Sequence, residues 1–197
     1  MFSFKVFWES TSPFRNLYHI TYMANAVEIL NSDAFKLSTQ DKSGRIVFGK
    51  NKPKYKYFMS AARNPSSAFF NLNEMPVIFE LDAVKLSDKG YSIKPIHDFI
   101  ELDKGIDNKE DISRFELEDR ILSKSPEINN AKFFIKAINF YHSPDYGDTF
   151  SQLSHNSKYH SITEAYEVFK NSGIPTFVYK NRKSFYLLNK RKAKLLQ

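Results

Sequence analysis

Apolar residues in this chain come in short runs. Val77-Ile78-Phe79-Glu80-Leu81 is the clearest, and Leu17-Tyr18-His19-Ile20-Thr21, Tyr57-Phe58-Met59-Ser60 and Tyr91-Ser92-Ile93-Lys94-Pro95-Ile96 are of similar length. Short runs rich in β-branched and aromatic residues suit strands, and Pro95 then belongs at a sheet edge or strand end. Ser3 to Trp8 alternates enough to read as a further strand. Helical spacing is confined to two places: Met23, Ala26, Val27 and Leu30, and the stretch opened by the capping box Ser161-Ile162-Thr163-Glu164, which runs through Lys170 and is closed by Gly173 and Pro175. Asn130 to Tyr141 reads as a long strand. Thr176–Lys180 and Ser184–Leu188 predict a final hairpin about Asn181-Arg182, and Arg114–Leu122 suits strand and helix equally. Gln40–Lys54 reads as a loop, Asn64-Pro65-Ser66-Ser67 as a turn or helix start, and Asp103–Asp111 as a polar connection. Many short strands with two or three helices predict an α+β fold with mainly antiparallel sheets. At about 150 residues per domain, 197 residues make one domain over 1–197, with a basic C-terminal tail at about 189–197.

Composition excludes several classes. There is no Cys, hence no disulfide scaffold, thiol nucleophile or Cys-based zinc site, and a reducing, cytoplasmic setting is the expectation. No apolar run approaches the ~20 residues of a bilayer-spanning helix, and Lys5 and Glu9 interrupt the N-terminus where a signal peptide needs an apolar core. Aromatic residues make up 16% of the chain, ample surface for a packed core. His142, His155 and His160 lack the i,i+4 spacing of a helical zinc site, so no metal is expected. Neither Gly-x-Gly-x-x-Gly nor a Walker loop occurs, and the serines lack a nucleophile-elbow setting.

The chain carries 29 basic and 22 acidic residues, a net charge of +7. Lys42, Arg45, Lys50, Lys52, Lys54 and Lys56 form one acid-free segment. Lys180, Arg182, Lys183, Lys190, Arg191, Lys192 and Lys194 form another. Two readings stand for both: solvated loop and frayed tail, or a surface that meets nucleic acid, with the nearby Tyr and Phe available for stacking.

Three segments hold the candidate chemistry. His19 and Thr21, two apart, share one face of a strand. Tyr57-Phe58-Met59-Ser60-Ala61-Ala62-Arg63 ends a strand in small residues and an Arg. In Phe115-Glu116-Leu117-Glu118, extended backbone puts Glu116 and Glu118 on one face, where neighbouring carboxylates raise each other's pKa and divide acid–base and electrostatic work. Helical backbone would instead pair Glu116 with Arg120 at i,i+4. Taken singly, a His in a β-prone run is most often structural and an Arg before Asn-Pro pairs with a nearby carboxylate about as often as not, and only their joint order is distinctive.

That order, His-Ile-Thr followed by Asn25 and Ile29-Leu30, then an aromatic strand leading to Arg63, then Glu-x-Glu, resembles the ADP-ribosyltransferase superfamily, in particular the DarT-type toxins that ADP-ribosylate DNA. Similar short proteins occur among phage gene products. The resemblance spans residues 14 to 140 in pieces. It implies an α+β fold with two mainly antiparallel sheets flanking a cleft for NAD, used as co-substrate. His19 and Thr21 would hold the nicotinamide-side ribose or adenosine, Tyr57 and Ser60 would also bind the cofactor, and Arg63 would contact the phosphates or nicotinamide ribose. Glu118 would bind the ribose 2′-hydroxyl and stabilise the oxocarbenium-like sugar, and Glu116 matches the residue that orients an acceptor guanidinium in arginine-modifying members. DarT-type toxins need no Glu there, which leaves DNA, RNA and protein arginine open as acceptors, with the basic segments and the toxin-like first motifs favouring nucleic acid. A toxin role and a phage-effector role both follow. The rival class is a non-catalytic nucleic-acid-binding protein of the same fold. A transferase of RNA 2′-phosphate to NAD fits poorly, because it relies on basic residues rather than an acidic pair.

Overall fold

The computed structural model describes residues 16–39, 57–63, 65, 76–95, 118–142 and 161–197. The strand expected at 3–8, the basic segment 42–56, most of the turn at 64–67, the polar connection at 103–111, Glu116, His155 and His160 lie outside the described residues.

The strands are β1 (Asn16–Thr21), β2 (Ala34–Lys36), β3 (Ser38–Thr39), β4 (Tyr57–Ala62), β5 (Val77–Asp82), β6 (Ser92–Pro95), β7 (Glu118–Ser123), β8 (Glu127–Asn129), β9 (Ile135–Tyr141), β10 (Thr176–Tyr179) and β11 (Lys194–Leu195). The described helices are α1 (Met23–Ser32), α2 (Ala83–Asp88), α3 (Ala131–Phe134), α4 (Ile162–Asn171) and α5 (Arg182–Tyr186). Among the described residues nine strands form one sheet in the order β11-β10-β9-β5-β1-β4-β7-β6, with β3 on β4, and β2 and β8 form a separate ribbon. Every pairing among the described strands is antiparallel except β9 with β10, whose connection contains α4. The fold is α+β with mainly antiparallel sheets, as the short runs imply.

The central strand is β5. Val77 to Leu81 are all buried, because both sheet faces are covered. Val77, Phe79 and Leu81 join α1 and α4 in the main core, whereas Ile78 joins Tyr141, Tyr179 and Phe185 on the opposite face. The period of two thus feeds two separate cores. In α1, Met23, Ala26, Val27 and Leu30 form the buried stripe, while Asn25 and Glu28 face out. The helix ends at Asp33 in a left-handed conformation (φ 51°), with its amide bonded to the Ile29 carbonyl. Asp33 also accepts hydrogen bonds from the Ala131 and Lys132 amides, which docks α3. Pro95 ends β6 at the sheet edge, where its missing N–H breaks no inner ladder.

Two expectations are corrected. Ala131–Phe134 form a helical turn before β9, so the strand over 130–141 starts five residues late; Asn130 at φ 58° turns the chain from the β8 ribbon into that turn. The final hairpin about Asn181-Arg182 is absent. Asn181 caps α5 instead, its side chain accepting the Ser184 amide, and β10 pairs with β11. The capping box of α4 is formed in both directions.

Segment 189–197 is not frayed. Leu196 donates its amide to the Thr176 carbonyl at 2.8 Å, and Lys190 reaches the buried Glu80 carboxylate at 2.8 Å. Glu80 also accepts from Asn16 at 3.0 Å, and Asn16 in turn accepts from Lys136 at 2.7 Å. Lys136 lies where the β5–β9 register shifts.

Candidate functional site

The sheet has one thin seam. β1 pairs with β5 along its whole length and β4 pairs with β7 along its whole length, yet among the described residues the β1–β4 ladder holds the single registered pair Tyr18–Ala62. Beyond that pair the strands part, and a cleft of about 370 Å³ opens between them, with α1 and the β2–β3 segment as further walls.

His19 spans the seam. Its Nδ1–H donates to the Ser60 carbonyl at 2.8 Å, a side-chain bond where a backbone ladder bond would otherwise run. That bond selects the tautomer with the proton on Nδ1 and leaves Nε2 as an acceptor. The imidazole edge meets Phe35 with ring centroids 6.0 Å apart. Burial pushes the imidazole pKa below its usual value, and the hydrogen bond to Ser60 offsets part of that shift. The ring is therefore a neutral hydrogen-bonding group at neutral pH.

Three of the residues singled out from the sequence meet at the cleft: His19 and the buried Thr21 on β1, and Ser60 on β4. The spacing that put His19 and Thr21 on one face is observed. Tyr57 opens β4, half-buried, opposite Thr39 and Ser123. Arg63 follows β4, and its Nε and Nη2 donate to both oxygens of Asp119, each at 2.5 Å. Asp119 is fully buried. This is the bidentate fork that matches guanidinium to carboxylate, so the structural partner considered for Arg63 exists. Glu118 is the first residue of β7, in register with Ala62. Segment Glu118–Ser123 is extended, not helical, which resolves its end of the ambiguous stretch.

Sequence reasoning missed Asp119, Glu28 and Lys36. Glu28 on α1 and Lys36 on β2 both line the cleft and form an ion pair at its mouth. Their separation of eight residues crosses a helix end, so no single-element period reveals it. Asn25, which belongs to the resembling segment, also lines the cleft. Behind it, Arg120 stacks on Phe58 with its guanidinium carbon 4.0 Å from the ring centre. His142 lies elsewhere, its Nδ1 2.8 Å from the Tyr166 hydroxyl. Among the described residues no helix is long and apolar enough to cross a membrane.

No protein-family model matches the sequence, and no curated protein matches it. Among solved structures, the chain is similar to Thermus sp. 2.9 DarT in complex with ADP-ribosylated ssDNA, with a TM-score of 0.44 and 11% identity over 65% of this chain and 82% of that one. It is likewise similar to Thermus sp. 2.9 DarT in complex with NAD+, with a TM-score of 0.43 and 14% identity over 67% of this chain and 84% of that one.

Proposed function

We propose that this chain is a mono-ADP-ribosyltransferase that cleaves NAD and transfers ADP-ribose to nucleic acid. The observation that carries the reading is the parting of β1 from β4, with His19 fixed across the gap and Thr21 and Ser60 on its walls. The cleft volume falls within the ~300–1,000 Å³ of small-molecule pockets.

In this reading His19, through Nε2, and Thr21 hold the sugar hydroxyls, and Tyr57 and Ser60 border the cofactor from β4. Arg63 acts from the end of β4, held in place by Asp119. Glu118, on the strand flanking β4, is the catalytic carboxylate. It hydrogen-bonds the ribose 2′-hydroxyl and stabilises the positive charge that grows at C1′ as the bond to the nicotinamide nitrogen breaks. Nicotinamide leaves with the bonding pair, the acceptor's nucleophilic atom attacks C1′, and its proton passes to a carboxylate. Glu116 is assigned the orienting of the acceptor. The basic balance of the chain supports a nucleic-acid acceptor over a protein one.

The test is incubation with labelled NAD and separate pools of DNA, RNA and cell protein, with Glu118→Ala alongside. Label on a nucleic-acid pool, lost in the variant, is the expected result. Label on protein alone would overturn the acceptor, and no label with no nicotinamide release would overturn the chemistry.

A further inference from the structure

Eight basic residues and no acidic one lie in the last 30 residues, beyond Glu167. The whole positive balance of the chain resides there: the 167 residues before it hold 21 basic and 22 acidic side chains. The fold gathers this charge. After β10, helix α5 and the turn behind it fold back so that the Asn189 amide meets the Ser184 carbonyl at 2.9 Å. The Lys192 amide meets the Asn189 carbonyl at 2.9 Å, and Lys194 pairs with Val178. Residues 180–194 thus form a closed hook at one corner of the sheet. Lys190 is spent internally, on Glu80 and over the Phe177 ring at 5.2 Å, and it pins the hook to the sheet. Lys180, Lys183, Arg191, Lys192 and Lys194 remain exposed on it.

We propose that this hook is a preformed platform for the phosphate backbone of a nucleic acid, separate from the cleft. β10 lies three strands from β1, about 14 Å at the usual inter-strand spacing. Several cations fixed on one rigid corner neutralise successive phosphates with less ordering cost than a free tail. Half-buried Tyr186 and exposed Leu187 lie among them, so bases have an apolar neighbour. An anionic membrane is the less favoured polyanion, since the five residues of α5 are too few for an amphipathic helix lying in a lipid interface. The inference does not depend on NAD cleavage, because binding is read without NAD.

The experiment is fluorescence anisotropy of the full chain with a labelled single-stranded oligonucleotide and its duplex, over a salt series, and flotation with vesicles containing phosphatidylserine. Three variants are compared with wild type: Arg191→Gln/Lys192→Gln/Lys194→Gln; its charge-preserving counterpart Arg191→Lys/Lys192→Arg/Lys194→Arg; and a charge-matched control elsewhere, Lys89→Gln/Lys132→Gln/Lys170→Gln. For a single strand each lost phosphate contact lowers the slope of log K against log salt by about 0.7, so the hook variant should lose about 2 units of slope and bind at least about tenfold more weakly. The charge-preserving variant should bind as wild type and the control within about threefold, because scattered charges contribute only to the screened overall field. Equal loss in hook and control variants would reduce the effect to net charge and overturn the proposal. So would unchanged oligonucleotide binding by the hook variant, or loss of vesicle binding alone.

Discussion

His19 stands where the sheet parts, and its environment sets a pH dependence. Its folded pKa lies below the ordinary value because burial disfavours the imidazolium. The unfolded chain takes up this proton first, so the stability contributed by neutral His19 is complete above about pH 6.5 and is lost as pH falls from there towards the lower folded value. His19→Gln, which keeps a donor for the Ser60 carbonyl, should flatten the loss of stability between about pH 7 and pH 5, measured by urea unfolding at a series of pH values. An unchanged pH slope would remove His19 from that role. The Arg63–Asp119 pair makes a second residue-scale prediction. Removing one partner strands the other in a buried position, so Asp119→Ala should cost about 3–5 kcal/mol in urea unfolding, and replacing both residues by apolar ones should cost less. A cost under about 1 kcal/mol would place the pair with exposed ion pairs. His19 and Thr21 were legible from the sequence because a period of two is a local property. Asp119 was not: it sits in a Glu-Asp-Arg run that looks solvated, and its partner is 56 residues away.

At the scale of elements, β1, α1, β5 and α4 were legible because pattern and punctuation agree within each. Val77 to Leu81 read as a central strand, and Ser161 with Glu164 announces the helix it caps. The misread hairpin at Asn181 has a plain reason: an Asn whose side chain bonds a nearby amide makes a turn and caps a helix by the same geometry, and only the next partner decides. Here the partner strand is β11, thirteen residues beyond Asn181, held by the Leu196 amide and by Lys190 on Glu80. That docking is testable. A hydrogen bond between charged groups contributes about 1.5–3 kcal/mol, so Lys190→Ala should speed hydrogen exchange of the Leu196 amide by at least about tenfold. Exchange at the wild-type rate would mean that the backbone ladder alone holds β11. The seam between β1 and β4 was beyond sequence reading, since both strands have full partners on their other sides and nothing local marks where pairing stops.

At the scale of the whole molecule, the described residues form one sheet covered on both faces and interrupted at a single seam, and the function proposed depends on what that interruption admits. The main core beneath α1 and α4 and the second core beneath α5 each include residues from both sides of that seam. The most direct test fills the gap and leaves the cores intact. Ser60 is exposed on β4 and lines the cleft, so Ser60→Trp adds a large ring at its wall. Calorimetric titration with NAD should show binding by the wild-type chain and at least about a tenfold weaker affinity, a loss of 1.4 kcal/mol or more, in Ser60→Trp. Binding of NAD by both proteins with equal affinity, or by neither, would contradict the account.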